Sequence, residues 1–110
     1  MQTTITIMQG DQYAIPVEIK DVDGTPANGD TFADVEIVVG SVRRTMSAGE
    51  IVYDPNQAAF LFPLTQAETF AMRDQPQIMQ IRVKTVDGNV LGVNLGGTII
   101  VIGSKSKEEL

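Results

Sequence analysis

Phe60-Leu61-Phe62-Pro63-Leu64-Thr65-Gln66-Ala67-Glu68, followed by Met79-Gln80-Ile81-Arg82-Val83-Lys84, carries the reading of this chain. In the first stretch Phe60 and Phe62 share one face of an extended segment, because side chains alternate across a strand. Thr65 and Glu68 then stand at capping-box spacing. The Thr65 hydroxyl accepts from the Glu68 N–H, and the Glu68 carboxylate accepts from the Thr65 N–H. That spacing predicts a short helix near 65–72, ending before Pro76. In the second stretch Met79, Ile81 and Val83 alternate with Gln80, Arg82 and Lys84, a strand with one buried and one wet face. A strand, a helical turn and a strand is where immunoglobulin-like sandwiches cross from one sheet to the other.

The same period of two runs outward in both directions. Ile5 and Ile7 alternate with Thr4 and Thr6 near 3–8. Tyr13, Ile15, Val17 and Ile19 define a strand near 12–20, with Tyr13 on the buried phase and Pro16 marking an edge or a bulge. Asp23-Gly24 and Asp87-Gly88 supply hairpin-type turns. Val35, Ile37 and Val39 form a further strand, and Val42 to Ser47 reads as a short exposed strand carrying Arg43 and Arg44. Glu50 to Tyr53 follows, then a turn at Asp54-Pro55-Asn56, and later Val90 to Leu95. Thr98 to Ile102 is almost continuously apolar, the pattern of a strand covered on both faces or covered by a partner. The expected fold is all-β, an immunoglobulin-like β-sandwich of about seven to eight antiparallel strands with one short helix. A β-barrel is the structural alternative. Residues 1–103 are expected to form one domain and 104–110 a charged flexible tail. Val17–Gly24 echoes Ile81–Gly88, as two strands ending in the same Asp-Gly turn would.

The composition removes several kinds of chemistry. The chain has 110 residues, 14 acidic and 8 basic, for a net charge of −6, and has no Cys, His or Trp. There is therefore no imidazole base, no thiolate nucleophile and no zinc-thiolate site. The acidic balance opposes binding to a phosphate backbone. Asp11, Glu18, Asp21, Asp23, Asp30, Asp34 and Glu36 face a single base, Lys20, within residues 1–36, while the rest of the chain is neutral overall. An acidic N-terminal surface meeting a basic partner, with salt-sensitive association, is the expectation. No basic start with a continuous apolar run marks a signal peptide, and no run approaches a membrane span.

Few residues stand out as site candidates. Asp21, Asp23, Asp30 and Asp34 offer oxygens for calcium, but the EF-hand spacing is absent, and a polar turn-rich loop is expected. Glu18, Glu36 and Glu50 are carboxylates on outward strand phases with little chain to build a cleft around them. Gly92, Gly96 and Gly97 have no helix after them and make no phosphate loop. Interface candidates are Gln80, Arg82 and Lys84, a polar stripe on one strand, and Thr4, Thr6 and Thr98, on strands whose edges carry no charge or proline. No catalytic residue, metal or cofactor is expected.

Three blocks together carry a resemblance: Gln9-Gly10-Asp11 with residues 15–26, residues 60–70, and residues 80–90. They resemble small immunoglobulin-like structural proteins encoded in phages and prophages of Gram-positive bacteria. The opening block is similar to the N-terminal domain of phage baseplate upper proteins. The resemblance implies a non-enzymatic structural or assembly role in a tail or baseplate, through contacts with other virion proteins or with itself. It implies a location in the bacterial cytoplasm during assembly and then in the virion. The long helical linker and second domain that carry receptor binding in those proteins are not matched, which favours an accessory component. The alternative is a carbohydrate- or surface-binding β-sandwich module, for which the chain offers Tyr13 and Tyr53 but no Trp.

Overall fold

Alternation along the chain becomes nine strands and one short helix among the described residues, which in this computed structural model are 4–20, 25–93, 98–106 and 108–110. The strands are β1 (Thr4–Met8), β2 (Tyr13–Val17), β3 (Phe32–Val39), β4 (Val42–Thr45), β5 (Val52–Asp54), β6 (Ala59–Leu64), β7 (Pro76–Thr85), β8 (Val90–Val93) and β9 (Thr98–Ile102). The helix α1 (Gln66–Ala71) lies between β6 and β7. Its N-cap is Thr65, and both capping-box hydrogen bonds to and from Glu68 are formed.

The strands divide into two sheets. The larger runs β1-β9-β7-β3-β4, with β8 also paired to β7; the smaller runs β2-β6-β5. β7 is long enough for two partners in succession. Its Pro76–Ile78 stretch pairs with β9 and its Ile81–Lys84 stretch pairs with β8. Proline falls where the ladder can spare an N–H. Pro16 is on the edge strand β2, and Pro63 lies in the part of β6 beyond its pairing with β5, which covers Ala59 to Leu61. One pairing departs from the antiparallel expectation: β1 and β9 run parallel, so the larger sheet is mixed.

The inward faces of both sheets meet in one core. Ile15, Val17, Phe60, Phe62 and Leu64 come from the smaller sheet, and Ile7, Val35, Ile37, Val39, Ile81, Val83, Ile99 and Val101 from the larger. Phe60 and Phe62 are fully enclosed, and Tyr53 meets Phe60 edge-on with ring centroids 5.1 Å apart. Burying two phenylalanines in this way supplies on the order of 5 kcal/mol of transfer free energy.

Three expectations about exposure are corrected. Tyr13 is 42% exposed: its phase directs it inward, but it opens an edge strand. The Val42–Ser47 stretch is not simply an exposed strand, since Val42 and Thr45 are buried and its two arginines point to opposite faces. Within the chain β9 is covered on one face, with Ile99 and Val101 buried and Ile100 and Ile102 exposed, so of the two readings of its apolar run it is cover on both faces by the chain itself that is corrected. Both edges of β9 carry pairing, by β1 and by β7, so Thr98 is not on an open edge. Among the described residues, no helix is long and apolar enough to cross a membrane.

Candidate functional site

The outer face of the larger sheet gathers most of the polar candidates. Register sets Arg82 opposite Glu36, Gln80 opposite Val38 and Lys84 opposite Asp34 across β7 and β3. β4 sets Arg43 opposite Val38 and Thr45 opposite Glu36. Glu36 therefore sits between two guanidinium groups. Its Oε1 accepts from Arg82 Nε at 2.7 Å and its Oε2 from Arg43 Nε at 2.5 Å. The Arg82 hydrogen bond is the main reason the Glu36 carboxyl lies below its ordinary range; partial burial opposes it, and Arg43 adds to the lowering. The same bond and charge raise Arg82. Charge-assisted bonds of this kind are short and directional. The three side chains staple β4, β3 and β7 across the face, and Arg82 meets an acid of its own chain.

Asp34, next along β3, is used in the same way. Its Oδ1 accepts from the N–H groups of Val35 and Ser47, and its Oδ2 from the Ser47 hydroxyl, all at 2.8 Å. Burial alone would raise its carboxyl, but the Ser47 and Val35 bonds, with the Lys84 charge, outweigh it and hold the group low. Asp34, Glu36, Arg43, Arg82, Lys84 and Val90 line a shallow depression on this face. Glu50 accepts from the Thr45 N–H at 3.1 Å, capping the edge of β4. Glu36 and Glu50 thus each hold strands or a strand edge in place. Asp21 and Asp23 lie outside the described residues, and among the described residues no group of three or more acidic side chains is placed to hold a metal ion. The acids of residues 1–36 are also spread out. Asp34 and Glu36 lie on the outer face among bases, whereas Asp11 lies at the end of β1 beside α1.

Beyond the charged stripe the same face becomes apolar. Register aligns Thr6, Ile100 and Pro76 across β1, β9 and β7, and Met8 with Ile102. Ile78 is 78% exposed, Met8 and Ile102 45%, and Ile100 37%. Contiguous exposed apolar side chains on a sheet mark contact surfaces more often than single ones do. Composition signalled this surplus in the apolar run of β9; its location on one outer face needed the register. Thr4 and Thr98 are register partners at the start of the β1–β9 pair.

A second cluster ties the ends of the sheets to α1. Thr69, 1% exposed, accepts from the Gly10 N–H and donates to the Asp11 carbonyl, both at 2.9 Å. Gln66 Nε2 donates to the Gly10 carbonyl at 3.1 Å, and Gln9 Nε2 to the Met72 carbonyl at 2.7 Å. Ser104 and Leu110 donate their N–H groups to Gln9 and Gln66 side-chain oxygens. On the other flank of α1, Glu68 pairs with Arg44 of β4. This cluster is structural: each polar group in it satisfies another.

No family model, curated protein or solved structure matches the chain.

Proposed function

We propose that this chain is a non-enzymatic structural component of a phage or prophage particle, in its tail or baseplate, acting through protein–protein contacts. The observation that carries the reading is the outer face of the larger sheet. Its carboxylates are engaged by their own arginines, amides and hydroxyls, and its far end exposes Met8, Ile78, Ile100 and Ile102. Such a face suits docking against another protein better than it suits chemistry. The finer fold reading belongs here too. An immunoglobulin-like sandwich is supported by the sheets β1-β9-β7-β3-β4 and β2-β6-β5, by a first strand parallel to the last, and by α1 between strands of opposite sheets. The sequence resemblance to small phage-encoded immunoglobulin-like proteins supplies the particle. Mass spectrometry of purified, induced particles tests it. Recovery of the chain in stoichiometric amounts is expected, and its absence from all particle fractions overturns the reading.

A carbohydrate- or surface-binding module is the second reading, and the exposure of Tyr13 favours it. Tyrosine faces can stack on sugar rings, and here the ring stands on an edge strand. Saturable binding on a glycan array that Tyr13→Ala abolishes is the result that would prefer it.

A further inference from the structure

We infer that the open edge of β1 is a pairing site for β1 of a second copy of this chain. The Gln9 N–H donates to the Ile102 carbonyl at 2.8 Å. In a parallel ladder this directs the backbone groups of Ile5, Ile7 and Gln9 toward β9, and those of Thr4, Thr6 and Met8 away from it. Met8 is closed off by Asp11, whose carboxylate accepts from the Met8 N–H at 2.9 Å and whose N–H donates to the Met8 carbonyl at 3.0 Å. The backbone groups of Thr4 and Thr6 remain directed at an edge that no strand among the described residues pairs with, and Thr6 is exposed.

The other edges among the described residues are guarded. β4 carries Arg43, and its Thr45 N–H is capped by Glu50. β2 contains Pro16, β5 has three residues, and β8 has four, one of them Gly92. Sheet proteins guard edges because an open ladder recruits strands. β1 is a five-residue strand, Thr-Ile-Thr-Ile-Met, with no charge and no proline.

The occupant follows from charge and register. A chain of net charge −6 meets its own copy best along a strand with no charged residue, and the one carboxylate described at this edge, Asp11, sits at the Met8 end, away from the Thr4–Thr6 stretch that would pair. Antiparallel pairing about a two-fold axis at Ile5 sets Thr4 against Thr6 of the second copy, and Thr6 against its Thr4. Both copies then use their open backbone groups, and Ile5 meets Ile5. The Asp11 plug at Met8 stops the ladder there and selects this register over one centred on Thr6. The exposed Met8, Ile100 and Ile102 lie beside the junction, so pairing joins two apolar faces into one wider surface. Two-fold pairing is the commonest closed arrangement. The inference rests on the reading of this protein as an assembly component, but it is measured on the purified chain alone.

The test is sedimentation equilibrium of the full chain across a concentration series, with amide hydrogen exchange read at Thr6. The expected mass rises toward two chains, and Thr6 exchange slows with concentration while that of Ile7, already bonded to β9, changes little. Thr6→Pro removes an N–H that the monomer fold does not use, and it shifts the monomer–dimer midpoint at least about tenfold upward. Thr6→Lys does the same by placing charge at the edge, and serves where the proline variant loses its far-UV circular dichroism. A monomer up to about 1 mM, the range of the weakest specific contacts, overturns the inference. So does a folded variant that dimerises as tightly as the parent. Absence from particles with dimerisation intact would sink the particle reading and leave this one standing.

Discussion

The Thr69 hydroxyl, buried in α1, accepts a hydrogen bond from the Gly10 N–H at 2.9 Å across 59 residues of chain. The same oxygen donates to the Asp11 carbonyl, so one side chain clamps the β1–β2 turn onto the helix. Gly10 is needed there. Its φ is +92°, and a Cβ would come within 2.7 Å of the Phe70 ring. Thr69→Val keeps the shape and removes the hydroxyl, leaving a buried donor and acceptor unpaired. It is expected to cost about 1–3 kcal/mol in urea unfolding, with Thr69→Ser well below that. Equal losses in the two variants would show that the methyl, not the hydroxyl, matters.

Glu68 serves two partners. One carboxylate oxygen accepts from the Thr65 N–H, and the other meets Arg44, whose side chain leaves the core-directed side of β4. Glu68→Gln retains a capping-box residue but loses the charge, whereas Glu68→Ala loses both. The expected order of stability is parent, then Gln, then Ala, with the alanine variant down by about 1–3 kcal/mol. If the glutamine and alanine variants fall together, the ion pair dominates; if glutamine matches the parent, the cap does.

The Glu36 staple makes stability depend on acid. Its carboxyl is lowered in the folded protein, chiefly by Arg82. The folded state therefore binds fewer protons than the unfolded one around the unfolded carboxyl value of about 4.3. The contribution is complete above that value and is lost as pH falls through the folded value. Glu68 and Asp34 are shifted in the same direction. Glu36→Gln should cost about 1 kcal/mol at neutral pH, since both arginines are largely exposed. It should also flatten the acid limb of a stability–pH curve. An unaltered acid limb would remove Glu36 from this role.

Ala58 holds a positive φ of 50° in the turn between β5 and β6. A left-handed alanine is strained by about 1–2 kcal/mol relative to glycine, part of which the greater freedom of the unfolded glycine chain offsets. Ala58→Gly is therefore expected to stabilise by about 0.5–1 kcal/mol in thermal or urea unfolding. A destabilised variant would mean that the Ala58 methyl packs usefully.

What could be read from the sequence was whatever near neighbours decide. The Thr65–Glu68 capping box, the alternation of Met79 to Lys84, the shared face of Phe60 and Phe62 and the restriction of Pro16 to an edge or a bulge all depend on a few consecutive residues. Backbone sterics, a helix turn and the two-residue strand period act over that distance. Tyr13 shows the limit: phase gives a side chain its direction, but cover depends on what the opposite layer reaches. The rest depended on register between distant strands. The parallel β1–β9 pair, Glu36 held between Arg43 and Arg82, Arg44 turned toward Glu68, and Thr69 clamped to Gly10 join residues 7 to 94 positions apart. A one-residue slip in pairing would move the strand residues among these, Glu36, Arg43, Arg44 and Arg82, to the other face. Only the packing of the whole core selects among such slips. The sequence determined that there would be strands, a capped turn of helix and a surplus of apolar residues. The tertiary structure decided which face shows that surplus and which edge stays open.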